Sequence, residues 1–500
     1  MNKITICLLF FFSFSLSAQD SFDSELSQEQ MVKDLELFRE IREIANSGLY
    51  KYRTKNQIDS IYNWAYSQIK QSSSLGDFYN IVCTITDFEG SLHNNTDLPD
   101  KVIESIRNES WGYFPFMISD VEDYWVCNND SLEIPVGSRI IEINGKKMEE
   151  IIQELGIYWT TDGYNTTGKK IGFKKSFPFY YRMFYGQKES FDILYQEPDG
   201  ATQQLNLQSI SNKQYKENRS KMHSMPSDYL YFWNYLEMTE KKELYQLSAI
   251  NPNTVLLKIN SFYIGRNEDD PIHKKYMAFL DSTFSELKAN GVENLIVDVR
   301  YNGGGTGPND VETGSFLIDK PLKEAQQAWT SCRKLPKTRH LNIKWYQKPF
   351  ANIVVKKEVK KNLSEGEDGN FYYDKPKTIS PKENAFTGTL YLLVGPETAS
   401  AASLFAAMVA GNTDAIVVGE ETSGGYYGHN GIFPVSYVLP HSKIEFDFSL
   451  VNIDQNVPVT ENQPAGSGIM PDYEVTTSLS DFLNNEDTTM KFVLGLIDEQ

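Results

Sequence analysis

The sequence contains little cysteine, and it has fewer positive than negative charges. Its 500 residues include four cysteines: Cys7 lies in an apolar run at the start, and Cys83, Cys127 and Cys332 remain in the rest of the chain. Three cysteines allow at most one intramolecular disulfide, and their wide spacing excludes a zinc-ribbon pattern. Lysine and arginine total 48 against 67 aspartates and glutamates, which gives a formal net charge of −19. An acidic surface repels phosphate backbones and anionic lipid, so nucleic-acid and membrane-surface partners are both disfavoured.

After its first residues the chain also lacks any stretch long and apolar enough to cross a bilayer. The start differs: Met1–Lys3 carries one positive charge, Ile4–Leu16 is almost continuously apolar, and Ser15–Ala18 supplies small residues. This order describes a secretory signal peptide over residues 1–18, and the run is shorter than the roughly 20 residues that a retained membrane anchor needs. The sequence therefore predicts export to the periplasm or the extracellular space, with no membrane span left after signal removal.

Length and composition predict a globular protein of two or three domains. Five hundred residues exceed one ordinary core, and 40% hydrophobic with 23% charged residues is a globular composition. Residues 19–114 are predicted to form an N-terminal helical domain. Leu37, Ile41 and Ile44 are spaced for one helix face, and Gly48 follows where a helix would stop.

A β-rich region is predicted at 115–215. Its alternating apolar residues end in Asn144-Gly145, a strong signal for a two-residue hairpin turn. Gly137–Ile152 resembles a segment of PDZ domains, with Ser138 in place of the usual aspartate. The resemblance implies a PDZ-like module, and such modules bind peptides at a sheet edge. An ordinary hairpin in an unrelated β-rich domain is the alternative.

Alternating strands and helices predict an α/β domain over residues 225–500. Apolar strands are predicted at Thr254–Ile259, Leu295–Val297, Tyr391–Val394 and Ala415–Val418. Continuous apolar runs are typical of strands buried on both faces, and their alternation with helices indicates an α/β fold. Residues 321–388 are polar and lysine-rich, and we expect them to form an insertion or long excursion from that core.

Two turns in this domain carry residues suited to catalysis. One buried strand runs into Gly303–Gly305, where glycines allow a tight turn and leave amide N–H groups open to a ligand. A P-loop is disfavoured because no GK[ST] ending follows. Another buried strand leads through small residues to Ser400 and then to an apolar helix, whose N-terminus favours developing negative charge. A helix cap formed by Thr398, Ser400 or Ser403 is the alternative.

Together these motifs resemble the catalytic domain of the tail-specific, or C-terminal-processing, protease superfamily, peptidase family S41. The resembling segments, in chain order, are Asp298–Gly305, Glu397–Ala407, Gly419–Gly425 and Gly468–Val475. The resemblance implies a crotonase-like α/β core and serine-dependent hydrolysis of a protein or peptide substrate. It also implies Ser400 as the nucleophile, with the amides of Ala401 and of Gly303 or Gly304 as the oxyanion hole.

Activation of Ser400 needs a base, since a serine hydroxyl is a poor nucleophile until its proton is removed. Many members of the superfamily use a lysine at the position that Gly425 occupies here, so that serine–lysine dyad is excluded. The tricorn-like branch uses a histidine from the N-terminal part of the chain, and His93 lies where that histidine would fall. His429, in the loop of the third motif, is the alternative base.

The tricorn-like branch supports its histidine with a glutamate near the C-terminus, and the resemblance implies Glu461 for this role. A solvated loop glutamate is the alternative. No HExxH, HxxEH or clustered Asp/His pattern is present, so neither a metal nor another cofactor is expected. The sequence therefore predicts an exported serine endopeptidase. Because function depends on the site and not on the fold, a non-catalytic peptide- or ligand-binding homologue is the alternative.

Overall fold

The computed structural model describes residues 21–130, 133–224, 244–265, 267–305, 307–373 and 377–499. Within those residues the strands form four sheets, three of six strands and one of two. The chain is thus a mixed α/β structure, as its sequence predicts. The predicted signal peptide at 1–18 and the predicted domain start at 225 lie outside the described residues.

The first part of the chain is helical. Its elements are α1 (Gln28–Ala45), α2 (Lys55–Ile69), α3 (Leu75–Glu89), the short strand β1 (Asn95–Asp97) and α4 (Asp100–Arg107). Ser27, Thr54 and Ser74 begin the first three helices with capping boxes, in which the cap residue and the third helical residue satisfy each other's backbone amides. Gly90 ends α3 at a φ of 72°, a left-handed conformation that glycine adopts without strain.

The buried face of α1 differs in part from the predicted one. Its apolar residues below 1% exposure are Met31, Leu35, Phe38, Ile41 and Ala45. Ile41 is buried as predicted, whereas Leu37 is half-buried and Ile44 is 47% exposed. The prediction was wrong for Ile44 because the face that packs on the core is centred on the larger Phe38, and Ile44 lies outside that stripe.

The second part contains an antiparallel sheet. Its elements are β2 (Ile118–Val121), β3 (Tyr124–Cys127), β4 (Arg139–Ile143), β5 (Lys146–Lys147), α5 (Met148–Leu155), α6 (Lys170–Tyr185), β6 (Ser190–Gln196), β7 (Thr202–Gln208) and α7 (Asn212–Arg219). The sheet order is β2-β3-β4-β6-β7, with β5 paired to β4. Asn144 and Gly145 join β4 to β5 with φ values of 53° and 74°, so the predicted hairpin is confirmed. The kinship with PDZ domains stays a prediction.

The third part alternates strands and helices. Its elements before the nucleophile turn are β8 (Tyr245–Asn251), β9 (Thr254–Ile259), α8 (Pro271–Ala289), β10 (Asn294–Asp298), α9 (Asn309–Gly314), β11 (Leu322–Lys323), β12 (Gln327–Thr330), α10 (Ala351–Asn362), β13 (Leu363–Glu365), β14 (Phe371–Tyr373), β15 (Thr378–Ile379) and β16 (Thr389–Val394). After that turn follow α11 (Ala401–Asn412), β17 (Ile416–Gly419), β18 (Asn430–Val438), β19 (Glu445–Asp454), β20 (Tyr473–Glu474), α12 (Leu479–Asn484) and α13 (Thr488–Asp498).

A mostly parallel sheet, ordered β20-β17-β16-β10-β9-β8, forms the core of this third part, and only β8 runs antiparallel to its neighbour. Leu295 and Val297 of β10 pack in one cluster with residues of α8 and α11. Ile296, on the opposite face, packs with Val493 of α13. Burial on both faces explains the continuous apolar sequence of β10.

Residues 321–388 lie outside the parallel core sheet, as predicted for an insertion or long excursion, but their strands also build another sheet. Strand β12 pairs with β19 and β14 pairs with β12, so this stretch builds part of a second sheet. Strand β1 of the first part pairs with the start of β19, on the same edge as β12 and opposite β18. The N-terminal helices are therefore joined to the third part through one sheet.

This topology brings two loops together. Strands β10 and β16 are parallel neighbours, with Asp298 in register with Leu393. The loops that follow them, one rich in glycine and one ending in Ser400, consequently leave the same edge of the sheet. In open α/β sheets, ligands bind at this carboxyl edge.

The remaining observations concern the cysteines, membrane-spanning helices and metal-binding groups of the described residues. Cys83, Cys127 and Cys332 are buried free thiols. No helix among the described residues has both the length and the apolar character that crossing a membrane requires. Within the same residues, no three His, Cys, Asp or Glu side chains are grouped so as to hold a metal ion.

Candidate active site

Ser400 lies in a strained turn between β16 and α11. Its φ and ψ of 53° and −126° are unusual for a residue other than glycine, and such a conformation persists only where surrounding contacts enforce it. Thr398 supplies one such contact, since its hydroxyl donates to the Val299 carbonyl at 2.8 Å. The Ser400 side chain makes no capping hydrogen bond to α11. The helix-cap interpretation of Ser400 is therefore excluded, and its hydroxyl is available to another partner.

The glycine loop lies directly against Ser400. A Cβ atom on Gly304 would stand 2.7 Å from the Ser400 Cβ and 3.0 Å from the Ala401 nitrogen, and the φ of Gly304 is 101°. Only glycine meets both conditions, because the space is filled and the backbone is left-handed. Gly304 thus allows the glycine loop and the Ser400 turn to approach within van der Waals contact.

Two of the three predicted oxyanion donors are free. The Gly304 N–H already donates to the Asn302 side-chain oxygen at 2.9 Å. In the described part of the chain, neither the Ala401 N–H nor the Gly303 N–H has an acceptor. Ala401 is also the first residue of α11, where unpaired amides and the helix dipole favour negative charge.

His93 contacts the Ser400 hydroxyl. Its Nε2 atom lies 3.1 Å from Ser400 Oγ, although the two residues are 307 positions apart in the sequence. His93 lies in the loop after α3. Among the described residues, the buried Nδ1 atom of His93 has no hydrogen-bond partner. Burial lowers the pKa of His93 to about 4, so the imidazole is neutral near pH 7 and its Nε2 can accept a proton.

His429 stands behind His93 and is not hydrogen-bonded to Ser400. The two rings are tilted by 36° with centroids 4.8 Å apart, and His429 is 2% exposed. Burial lowers the pKa of His429 well below its usual value, and the neighbouring His93 lowers it further. Gly431 makes room for the pair, because a Cβ there would strike the His429 ring and lie 2.8 Å from His93 Cε1. Of the two predicted bases, His93 has the contact.

A cavity of about 450 Å³ opens beside Ser400. Much of its wall is apolar and comes from α11 and the β18–β19 sheet, with Leu404, Phe405, Met408, Ile432, Phe433, Val451 and Ile453 among the lining residues. Asp310 and Glu324 add two carboxylates to the same cavity. Asp310 is 6% exposed with one oxygen unpartnered, and burial raises its pKa to about 6. The cavity thus combines apolar walls with negative charge.

The motif segments lie in a region that matches a known family. The sequence profile of peptidase family S41 matches residues 253–475. Over those residues, which make up less than half of the chain, the sequence is similar to peptidase family S41. Its members are serine hydrolases, which supports a serine-type protease in general.

Solved structures with a similar fold include mature CPAF, at 13% identity and a TM-score of 0.56, with 93% of this chain and 96% of that chain covered. Mature CPAF complexed with lactacystin is also 13% identical, with a TM-score of 0.57 and coverage of 95% and 99%. At such identity the likeness concerns the fold alone. A comparison with curated proteins gives no match.

A buried carboxylate, Asp162, joins two loops of the site. It accepts the Leu92 N–H, next to His93, and the Gly425 N–H, each at 3.0 Å. Burial raises the pKa of Asp162 to about 7, while those two hydrogen bonds act in the opposite direction. Sequence reasoning missed Asp162, because it belongs to neither catalytic loop and only the fold brings it between them.

The residues around Asp162 strengthen the same junction. The Gly163 N–H donates to the Gly90 carbonyl at 2.9 Å, and the Asn165 amide donates to the Thr422 carbonyl at 2.7 Å. A segment that precedes α6 therefore ties the loop of His93 to the third motif.

Glu461 is not brought to His93. Glu461 lies in an exposed turn, and no described residue forms a hydrogen bond with the Nδ1 atom of His93. In this geometry Glu461 does not orient the imidazole.

Proposed function

We propose that the protein hydrolyses peptide bonds through an acyl-enzyme, with Ser400 as nucleophile and His93 as general base. The contact of 3.1 Å between His93 Nε2 and Ser400 Oγ carries the proposal. It lies within the reach that proton transfer requires. The family's usual lysine is absent, since Gly425 stands at its position.

Ser400 would attack the substrate carbonyl while His93 takes the hydroxyl proton. The negative oxygen of the tetrahedral intermediate would be bound by the Ala401 and Gly303 amides, the two donors left without an acceptor. His93 would then return the proton to the leaving amine, and a water molecule would release the acyl group by the reverse sequence. The cavity beside Ser400 would hold a substrate side chain.

The unpartnered Nδ1 of His93 is the weakest part of this machinery. When Nε2 accepts the serine proton, Nδ1 carries a hydrogen that no acceptor receives. For Glu461 to support the imidazolium, as the family resemblance implies, its exposed turn would have to move towards His93. We therefore expect Glu461→Gln to lower activity only if that turn closes on bound substrate.

We further propose that the chain is exported after removal of residues 1–18, and that the β-sheet region at 115–215 is a PDZ-like, peptide-binding module. The charged, apolar and small residues at the start support export. N-terminal sequencing of the mature protein tests it, and a first residue of Met1 would contradict it.

The test of the activity is cleavage of an unfolded protein, together with labelling by a serine-directed phosphonate, in wild type, Ser400→Ala, His93→Gln and His429→Gln. We expect Ser400→Ala to abolish both reactions and His93→Gln to slow them by about 100-fold or more. His429→Gln should retain activity within about tenfold, because among the described residues the hydroxyl is hydrogen-bonded to His93 and not to His429.

Labelling that persists in Ser400→Ala would exclude the proposed nucleophile. A loss confined to His429→Gln would transfer the role of base to His429. A folded wild type that binds unfolded peptide but neither cleaves it nor reacts with the phosphonate would identify the non-catalytic homologue instead.

A further inference from the structure

One segment of this acidic chain is strongly basic. Residues 333–361 contain ten lysines or arginines and one acidic residue, Glu358, in a protein whose net charge is −19. The overall acidity that disfavours anionic partners is therefore not spread evenly. We call residues 333–361 the basic segment.

The basic segment also exposes large apolar side chains. Trp345 is 82% exposed, and Tyr346, Phe350, Ile353 and Val354 are each more than half exposed. Single exposed apolar residues are common, but a contiguous apolar group on a surface marks an interaction site. These five lie within ten consecutive positions.

Helix α10 fixes which way two of these side chains, Ile353 and Val354, face. Ala351 and Val355 pack against the core of the first part, so the opposite side of the helix is turned to solvent. Ile353 and Val354 lie on that outer side, as do the exposed Lys356 and Lys357 three or four positions further along. Apolar side chains and ammonium groups therefore stand side by side on one rigid face.

Several of these cations are not neutralised. Lys337 pairs with Glu40 at 2.9 Å, and Arg333 pairs with Glu365. Within the described part of the chain, Lys344, Lys356 and Lys357 form no ion pair. An unneutralised cluster of this kind attracts an anionic surface, and the acidic remainder of the molecule would turn away from that surface.

We propose that the basic segment binds the surface of an anionic lipid bilayer, with the apolar side chains entering the interface and the lysines contacting headgroups. Exposed tryptophan, tyrosine and phenylalanine beside lysines are typical of interfacial helices. Nucleic acids are recognised by stacking and hydrogen bonds, and the aliphatic side chains of Ile353 and Val354 provide neither. A two-fold contact with a second copy would place the same lysines opposite each other.

Binding there would hold the candidate active site near the bilayer. Leu363 follows α10 directly in the chain and lines the cavity beside Ser400. The proposal does not depend on Ser400 being catalytic, since the face is defined by exposure and charge alone.

Co-sedimentation of the full chain with vesicles is the test, comparing phosphatidylcholine alone with phosphatidylcholine mixed with phosphatidylglycerol at low and high salt. We expect anionic vesicles to bind at least about tenfold more protein at low salt, and high salt to weaken that binding. Lys356→Gln with Lys357→Gln should weaken it by roughly 10- to 30-fold, and Trp345→Ser with Phe350→Ser by about tenfold or more.

Matched controls come from exposed residues elsewhere. Lys213→Gln with Lys274→Gln removes two exposed charges, and Val459→Ser removes an apolar side chain that is 87% exposed; neither should change binding. Equal binding to both vesicle types, or variants that bind like wild type, would overturn the proposal. So would a self-association in the absence of lipid that Trp345→Ser abolishes, because the face would then belong to a second copy.

Discussion

Replacing Asp162 by asparagine tests whether the junction behind His93 determines the reactivity of Ser400. Asparagine keeps the shape of the side chain and one acceptor oxygen. Its amide group would place N–H donors against either the Leu92 N–H or the Gly425 N–H, both of which the carboxylate now accepts at 3.0 Å. The change therefore alters one hydrogen bond without opening a cavity.

The size of the effect follows from that one hydrogen bond. A buried donor left without an acceptor costs about 1–3 kcal/mol. The Leu92 amide precedes His93 directly, so a shift that relieves this cost also moves the imidazole away from Ser400 Oγ. Because about 1.4 kcal/mol corresponds to a factor of ten in rate, we expect the Ser400 reaction to slow by roughly 10- to 100-fold.

The assay is the rate of Ser400 labelling by a serine-directed phosphonate, with thermal unfolding measured on the same samples. Asp34→Asn is the matched control, because Asp34 is also fully buried and also accepts two backbone amides, from His441 and Ser442. Both variants should lose comparable stability, but only Asp162→Asn should lose labelling rate. A folded Asp162→Asn protein that labels within about twofold of wild type would refute the role assigned to the junction.

Three other outcomes are expected. The pKa of His93 is about 4, so its neutral form should sustain labelling down to about pH 4 and be lost as pH falls through that value; a loss centred near 6.5 would show an unshifted imidazole. Gly304→Ala should abolish labelling in a folded protein, because its Cβ would stand 2.7 Å from the Ser400 Cβ, and retention of activity would place the loop elsewhere. In a peptide library, the Asp310 and Glu324 carboxylates should favour lysine or arginine next to the cleaved bond, and Asp310→Asn should reduce that preference by roughly tenfold relative to leucine.

The pH also changes the protonation of Asp162, the carboxyl group that joins the two loops. Burial raises the pKa of Asp162 to about 7, so its contribution to folding stability is fully present at low pH and is lost as pH rises through 7. As the pH falls below about 7, the thermal unfolding temperature of wild type should therefore rise relative to that of Asp162→Asn, which does not titrate.

The turn of Ser400 could be predicted because its signals are local. A buried strand, small residues and an apolar helix occupy consecutive positions, and β10 and β16 are recognisable from their continuous apolar runs. The role predicted for His93 depended on resemblance, since nothing in the residues around it distinguishes it from the other five histidines. The structure supplies what distinguishes it, namely the contact with Ser400 Oγ.

Other parts of the site depend on tertiary structure that no local pattern records. Asp162 joins Leu92 to Gly425, residues that are far apart in the chain. The misassigned exposure of Ile44 has a similar origin, because helical spacing alone does not reveal which of two overlapping stripes packs on the core.

The distance along the chain between His93 and Ser400 has a consequence for when the protein can act. A chain that is unfolded, or that lacks its first part, has a serine hydroxyl with no base beside it. If the pair performs the proposed hydrolysis, the chain is inert until its first and last parts have folded together. Reactivity towards a phosphonate would then report completed assembly, and no chain could digest its own folding intermediates.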